Sequence, residues 1–406
     1  MPQPWTKPCA AALLALAAAG AWAQQAADEP YWAQGRPPTD AALQITPVAA
    51  PPVPTPADQL PLAKMKLPRG FQVEVWASGL LDARGLRQGD RGTVFVSTMS
   101  VAGKIYAVTD PGEPGGPRAV RTIADGLSMP NGIEFYKGSL FVATPQKILR
   151  YDRIESQLDA PPAPVTVYDG MPAGPANGAR FLRIGPDGKL YVSIGAPCNV
   201  CEPGPDAARI VRMNPDGSGV ETVARGVRNS VGFDFDPTTG DLWFTSNGRD
   251  WLSEDLPNDT LNHVAFPGRQ DFGFPYCDQG DIADPIYGWG RRCSDYAQPA
   301  QLMGPHAGVL GMRFYTGKMF PPAYQGAIFI ARHGPWNRTQ KYGADIVVAW
   351  PDANGGISRM EPFLTGLVED NRYLGRPVDL LVLKDGSLLV SDDFNGAVYR
   401  ISYVGK

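Results

Sequence analysis

The sequence predicts an all-β fold: a six-bladed β-propeller preceded by an extended proline-rich arm. Three observations carry this. A turn followed by β-branched or aromatic residues recurs six times, at intervals near fifty residues. No long stretch shows helical apolar periodicity. A further strand signal stands at each end of the repeats, as closure of a ring requires.

Residues 1–23 read as a cleavable export leader, with Lys7, an apolar stretch from Ala10 to Gly20 and an Ala21-Trp22-Ala23 cleavage pattern. The apolar run is short for a bilayer span, so no integral membrane segment is expected after cleavage. Residues 24–66 form the arm. Ten prolines fall between Gln24 and Gly70, and 47–56 is close to polyproline, the composition of an extended tether. Residues 67–406 form the propeller.

Its six copies begin at Gly92, Gly138, Gly188, Gly240, Gly326 and Gly386, separated by 46, 50, 52, 86 and 60 residues. The long interval marks an insertion over about 266–306. The last strand, Val398–Tyr403, is expected to pair with Phe71–Trp76 and close the ring. A net charge of −4 and the lack of any basic patch argue against nucleic acid. Besides Cys9 in the leader, the cysteines are Cys198, Cys201, Cys277 and Cys293. An even count in an exported chain suggests two disulfides; three pairings are possible, and local pairing is expected. Glu202 after the C-x-x-C excludes a c-type haem. The chain has no G-x-S-x-G and no strand-linked G-x-G-x-x-G, which excludes a nucleophile elbow and a nicotinamide fold.

A propeller gathers its loops around one axial opening, so site residues should fall at matching points of several repeats. Arg84, Asn131, Asn177 to Arg180, Arg228-Asn229 and Arg376 each precede a copy. Arg84, Arg228 and Arg376 around one opening would repel one another, which points to an anion between them. After the fourth strand come Gly248, Arg249 and Asp250, then Glu254, Asp255 and Asp259, oxygen-rich as a hard-cation site is. His333, with Trp336 close by, follows the fifth strand and is a candidate base.

These stretches carry a resemblance. Met129-Pro130-Asn131-Gly132, Gly226-Val227-Arg228-Asn229, Asn247-Gly248-Arg249-Asp250-Trp251, Phe272 to Cys277, His333 to Arg338 and Gly375-Arg376-Pro377 resemble the exported quinoprotein dehydrogenases of the glucose/sorbosone dehydrogenase family, closest to the sorbosone-type branch. The similarity runs from about Leu67 to the C-terminus. It implies a propeller holding pyrroloquinoline quinone (PQQ) and calcium (Ca2+). Arg228, Asn229 and Arg376 match cofactor contacts, His333 a basic one, and Arg84, Asn131, Arg180 and Trp336 are further candidates. Gly248, Arg249 and Asp250 match the metal turn. The family places a catalytic histidine three residues before the arginine equivalent to Arg180, and here that position is Asn177, which cannot be a base. His333 or Asp250 would then substitute.

The expected function is a periplasmic or secreted oxidoreductase acting on a sugar or aldehyde, passing electrons to a cytochrome or quinone. Two alternatives stand beside it. One is a calcium-dependent propeller hydrolase such as a lactonase, and the other a non-catalytic binding propeller.

Overall fold

The computed structural model describes residues 30–110, 116, 118–172 and 176–405; the leader expected over 1–23 lies outside them. Six sheets are arranged as the blades of a propeller, each with four antiparallel strands and the third with a short fifth strand added parallel at its edge. The six recurring units are the second strands of these blades: Val94–Ser97, Ser139–Ala143, Leu190–Ile194, Leu242–Ser246, Ile328–Arg332 and Leu388–Asp392. They are almost wholly buried, because sheets on both sides cover them. Among the described residues the one α-helix is Asp40–Gln44, and no helix is long and apolar enough to cross a membrane.

The ring closes as the terminal strands require. Phe71–Ala77 pairs antiparallel with Ala397–Tyr403, Phe71 opposite Tyr403 and Glu74 opposite Arg400, so the last blade is built from both chain ends. Phe71 then sits edge-on to Phe320, Phe363 and Tyr403, which ties the closing strand into the largest aromatic cluster. The arm runs outside this blade. Leu60 packs on Ala397 and Tyr399, and Thr55 hydrogen-bonds Asn395 through both its amide and its hydroxyl.

The excursion expected over 266–306 ends inside the fourth blade, because Gln301–Pro305 is that blade's outer strand, paired with Asn258–Val264. Before returning, the chain lends Gln270–Asp271 to the edge of the third blade and makes a small hairpin at Cys277–Asp278 and Ile282–Ala283. The disulfides are Cys198–Cys201 and Cys277–Cys293, the local pairing.

The innermost strands are short: Leu86–Gln88, Gly132–Tyr136, Leu182–Ile184, Phe233–Phe235, Val309–Phe314 and Pro377–Val382. Their backbones approach closely, and a Cβ added at Gly232 would come within 2.0 Å of the Leu310 oxygen. Each strand also carries one charged residue, and the signs alternate around the ring: Arg87, Glu134, Arg183, Asp234, Arg313, Asp379. Arg87 bridges Glu134 and Asp379, each at 3.2 Å. Arg183 reaches Asp234 at 2.7 Å and Glu134 at 3.7 Å, and Arg313 reaches Asp379 at 3.2 Å. Asp234 joins the fifth blade through the Phe314 amide at 3.0 Å. Phe181 lies under the guanidinium groups of Arg87 and Arg313. Burial holds Arg313 down to about 9 even though Asp379 attracts it.

Removing Asp379 leaves Arg313 buried without an ion-pair partner and takes one of two from Arg87, and breaking a buried pair typically costs about 3–5 kcal/mol. Asp379→Asn is therefore expected to destabilise the protein by about 3–5 kcal/mol. Neutralising the exposed Arg359–Glu361 pair should cost less than about 1 kcal/mol. Denaturant midpoints of the two variants check the contrast.

Candidate functional site

The residues that precede the innermost strands meet at one end of the ring, around a cavity of about 280 Å³. Arg84, Asn177, Arg228, Asn229 and Arg376 all line it, together with Gly248, Asp250, His333 and Trp336 from loops that follow second strands. Asn131, Arg180 and Arg249 do not. Asn131 joins two arginines, accepting from Arg84 Nε at 3.0 Å and donating to the Arg180 carbonyl at 2.9 Å. Arg180 is caged by the carbonyls of Pro145, Asn177 and Pro172, and burial without a carboxylate pulls it down to about 10. Arg249 turns away to Asp284, at 2.6 Å.

The three arginines differ in how far they are neutralised. Arg84 pairs with Asp393 at 2.7 Å and Arg228 with Asp250 at 2.8 Å. The Arg376 guanidinium donates only to the main-chain oxygens of His333 and Gly334 and forms no ion pair among the described residues, although its amide donates to Asp392. It is buried, and burial lowers its pKa. The mutual repulsion expected of the three is thus relieved from within for two and left open for the third. Asn229 adds a buried side-chain oxygen with no hydrogen-bond partner. A buried guanidinium outside any direct ion pair and an orphaned acceptor in one cavity suit an anion that also carries a donor.

The turn at 247–250 is held by Arg228. Its Nη1 donates to the Gly248 carbonyl at 2.7 Å, and its Nη2 to Asp250 Oδ2. Asn337 donates to the other Asp250 oxygen at 2.9 Å, and Asp259 accepts from the Gly248 amide at 2.9 Å. Of the acidic residues that follow, Asp259 lines the cavity with Asp250, and the other two turn elsewhere. Glu254 faces Thr339, and Asp255 faces Arg338. Among the described residues no three His, Cys, Asp or Glu side chains are placed to hold an ion. With Arg228 seated on Gly248 and Asp250, this donor set does not fit a metal.

Asn177 adopts a left-handed backbone (φ 47°) and donates to the carbonyls of Ala196 and Cys198. Its amide is spent on fixing that loop. His333 is differently placed, its Nε2 lying 2.8 Å from Asp393 Oδ1. Asp393 stays ionised below the usual carboxylate range: burial opposes this, and His333, Arg84 and Arg376 outweigh it. Nε2 is therefore the protonated nitrogen. Nδ1 is a free base with no hydrogen-bond partner among the described residues.

Sequence reasoning missed Asp393 and Asn199. Asn199 engages every polar atom it has. Its oxygens accept from Arg228 Nε and Nη2 and from the Asp250 amide, and its two nitrogens donate to Gln34 and Asp250. Its one signal was an amide side chain inside the C-x-x-C.

The family model for glucose/sorbosone dehydrogenase matches residues 153–332. A curated relative from Borreliella burgdorferi, described as an uncharacterised protein, is 30% identical over 353 residues, covering 84% of this chain and 91% of its own. Among solved structures, the holo PQQ domain of pyranose dehydrogenase from Coprinopsis cinerea superposes with TM-score 0.71 at 20% identity, over 83% of this chain and 97% of that one. A calcium structure of a Trichoderma reesei family AA12 carbohydrate-active enzyme gives 0.71 at 18%, over 88% and 99%. The PQQ-bound aldose sugar dehydrogenase of Streptomyces coelicolor gives 0.57 at 17%, over 83% and 99%. At these identities the structures speak to the fold.

Burial first, then Arg376 and Arg84, hold His333 down to about 4 against the pull of Asp393. Between about 4 and the model-peptide value of 6.5 the unfolded chain binds a proton that the native site refuses. The His333 contribution to stability is thus expected to fall as pH drops from 6.5 toward 4. Histidine NMR titration should find His333 neutral at pH 5.5, and a titration midpoint at 6.5 or above would contradict this.

Proposed function

This chain belongs to the glucose/sorbosone dehydrogenase family, and from that premise we propose that it is an exported quinoprotein oxidoreductase that uses PQQ to oxidise a sugar or sugar-derived aldehyde. The observation that carries the reading is Arg376, a buried guanidinium in no direct ion pair among the described residues, facing the same cavity as Arg84, Arg228 and the unpartnered Asn229 oxygen. PQQ is a planar tricarboxylate, and carboxylates satisfy guanidinium groups in pairs. When bound, it supplies the two-electron acceptor for a hydride leaving the substrate carbon.

The protein's part is to orient the ligand and manage the proton. Arg84, Arg228 and Arg376 meet the anion. His333 takes the substrate hydroxyl proton at Nδ1, and ionised Asp393 holds the ring and stabilises the imidazolium that forms. A pKa near 4 makes His333 a weak base in the open site. Burial is the first cause of that low value; an anion between Arg84 and Arg376 offsets the two cations that add to it and so shifts His333 upward. Asp250 is the poorer base, since Arg228 and Asn337 occupy both of its oxygens. Calcium has no place assigned in this reading, because Arg228 occupies the Gly248 carbonyl that the family resemblance gives to the metal.

The hydrolase alternative has little support, because Asp250 and Asn131 are committed to protein partners. The binding-only alternative is favoured by one observation, the locking of Asn177 onto loop carbonyls where the family has its base. Two disulfides and the A-x-A leader pattern support a periplasmic or secreted location. A soluble cytochrome or a quinone is the electron acceptor in this reading.

Calorimetric titration of apo-protein with PQQ, with and without calcium, tests the cofactor assignment. Arg376→Ala and Arg228→Ala are each expected to weaken binding by about tenfold or more, the scale of a lost charge-assisted pair. Unchanged affinity in both would count against it. Dye reduction dependent on added PQQ separates the dehydrogenase from a binding-only propeller.

A further inference from the structure

The arm ahead of the propeller does more than wrap its edge. Tyr31, Trp32 and Pro47 line the same cavity as the arginines. Chain ends fray unless something ties them down, and this one is tied at several points. Asn199 grips Gln34 twice, its amide donating to Oε1 and its Nδ2 to the main-chain oxygen, each at 2.8 Å. Trp251 Nε1 donates to the Trp32 carbonyl at 2.9 Å. Ala33 is completely buried beneath them, and the Arg36 guanidinium lies over the Trp32 ring.

Trp251 holds its position with a left-handed backbone (φ 66°), a conformation that a bulky side chain adopts only under constraint and that concentrates at functional sites. Its ring stands edge-on to Trp336 at 5.4 Å, and Trp336 stands edge-on to Trp32 at 5.9 Å with the planes 87° apart. Two indoles, one from the arm and one from the fifth blade, thus meet at a right angle on the cavity wall. Asp250, with a carboxylate oxygen on Asn337, lines the same cavity. Flat apolar faces beside a few fixed polar groups are how a pocket recognises a ligand with one C–H face and a rim of hydroxyls.

We propose that residues 31–34 of the arm are a built wall of the ligand site, and that Trp32 and Trp336 form an aromatic corner that takes the C–H face of a sugar ring. The proposal rests on the quinoprotein reading for the identity of the ligand and gives that reading a substrate side, separate from the cations assigned to the cofactor. Trp32 is a specificity-determining residue here. Its main chain, not its ring, carries the anchor to Trp251, so the ring can be deleted while the arm stays docked.

The test uses the full exported protein with Trp32→Ala, Trp32→Phe and Gln34→Ala. Saturation-transfer NMR titrations with D-glucose, D-galactose, D-xylose and L-sorbosone read sugar binding directly, calorimetry reads PQQ affinity, and dye-reduction kinetics read KM and kcat. Trp32→Ala is expected to raise the sugar Kd and KM by about tenfold, the scale of one lost ring contact, with PQQ affinity within about threefold of wild type. Trp32→Phe should recover most of the loss, and Gln34→Ala should behave as a milder Trp32→Ala. Equal sugar affinity in wild type and Trp32→Ala, no sugar binding by the wild type, or a rise in kcat/KM on deleting the ring would each overturn the proposal. Failure of the wild type to bind PQQ would sink the cofactor reading instead, while sugar binding lost with the Trp32 ring would still support the aromatic wall.

Discussion

Six charges of alternating sign on six innermost strands set the frame in which everything else sits. Each of the six strands comes from a different blade, so the ion pairs at the axis are contacts between blades. They set the rotation of one blade against the next at the narrowest point of the ring. The desolvation cost of burying charge is offset because neighbouring members attract across each boundary, by ion pair or, from Asp234, by a backbone hydrogen bond. Apolar side chains would have filled the same space without specifying which blade faces which. The loops that build the cavity begin one to five residues before these strands, so the geometry of Arg84, Arg228 and Arg376 inherits its precision from the ring.

Around the cavity, charge is again arranged in neighbouring opposites, but incompletely. Asp393 answers Arg84, Asp250 answers Arg228, and Arg376 is left with main-chain oxygens alone. The contrast with the axial belt is physical. A belt whose members are paired rigidifies, whereas an opening with one guanidinium outside any direct ion pair keeps a demand that an anionic ligand can meet. His333 belongs to this balance. Its basicity is set first by burial and then by the positive charge of Arg376 and Arg84, so an anion beside those two would raise it.

Much of the architecture could be read from residues alone. The glycine turns followed by Val-Phe-Val or Leu-Tyr-Val mark the second strands because those strands are buried on both faces and long enough to show it. Of the innermost strands, Leu86–Gln88 and Leu182–Ile184 escaped notice because they are three residues each, too short for any period, and their central charges look like solvent-facing breaks. Cavity residues that precede those strands were legible as a group. What sequence could not separate was Arg84 from Arg180. Both sit just ahead of an innermost strand, and only the carbonyls of Pro145 and Pro172 decide that Arg180 is a strut. Asn199 was harder still, since its meaning lies in Gln34 and Asp250, which are far from it along the chain.

The pairing of Phe71–Ala77 with Ala397–Tyr403 has a consequence for biosynthesis. Five blades can assemble from local hairpins as the polypeptide emerges, but the sixth needs its first and last strands together. Until the final residues are released, the nascent ring has two open edges and a gap where Arg84 and Asp393 should meet. Contacts between remote segments are the slow ones to form. The sixth blade is therefore completed last, and a ribosome that stalls before the final strand leaves Phe71–Ala77 without its partner and the ring unclosed.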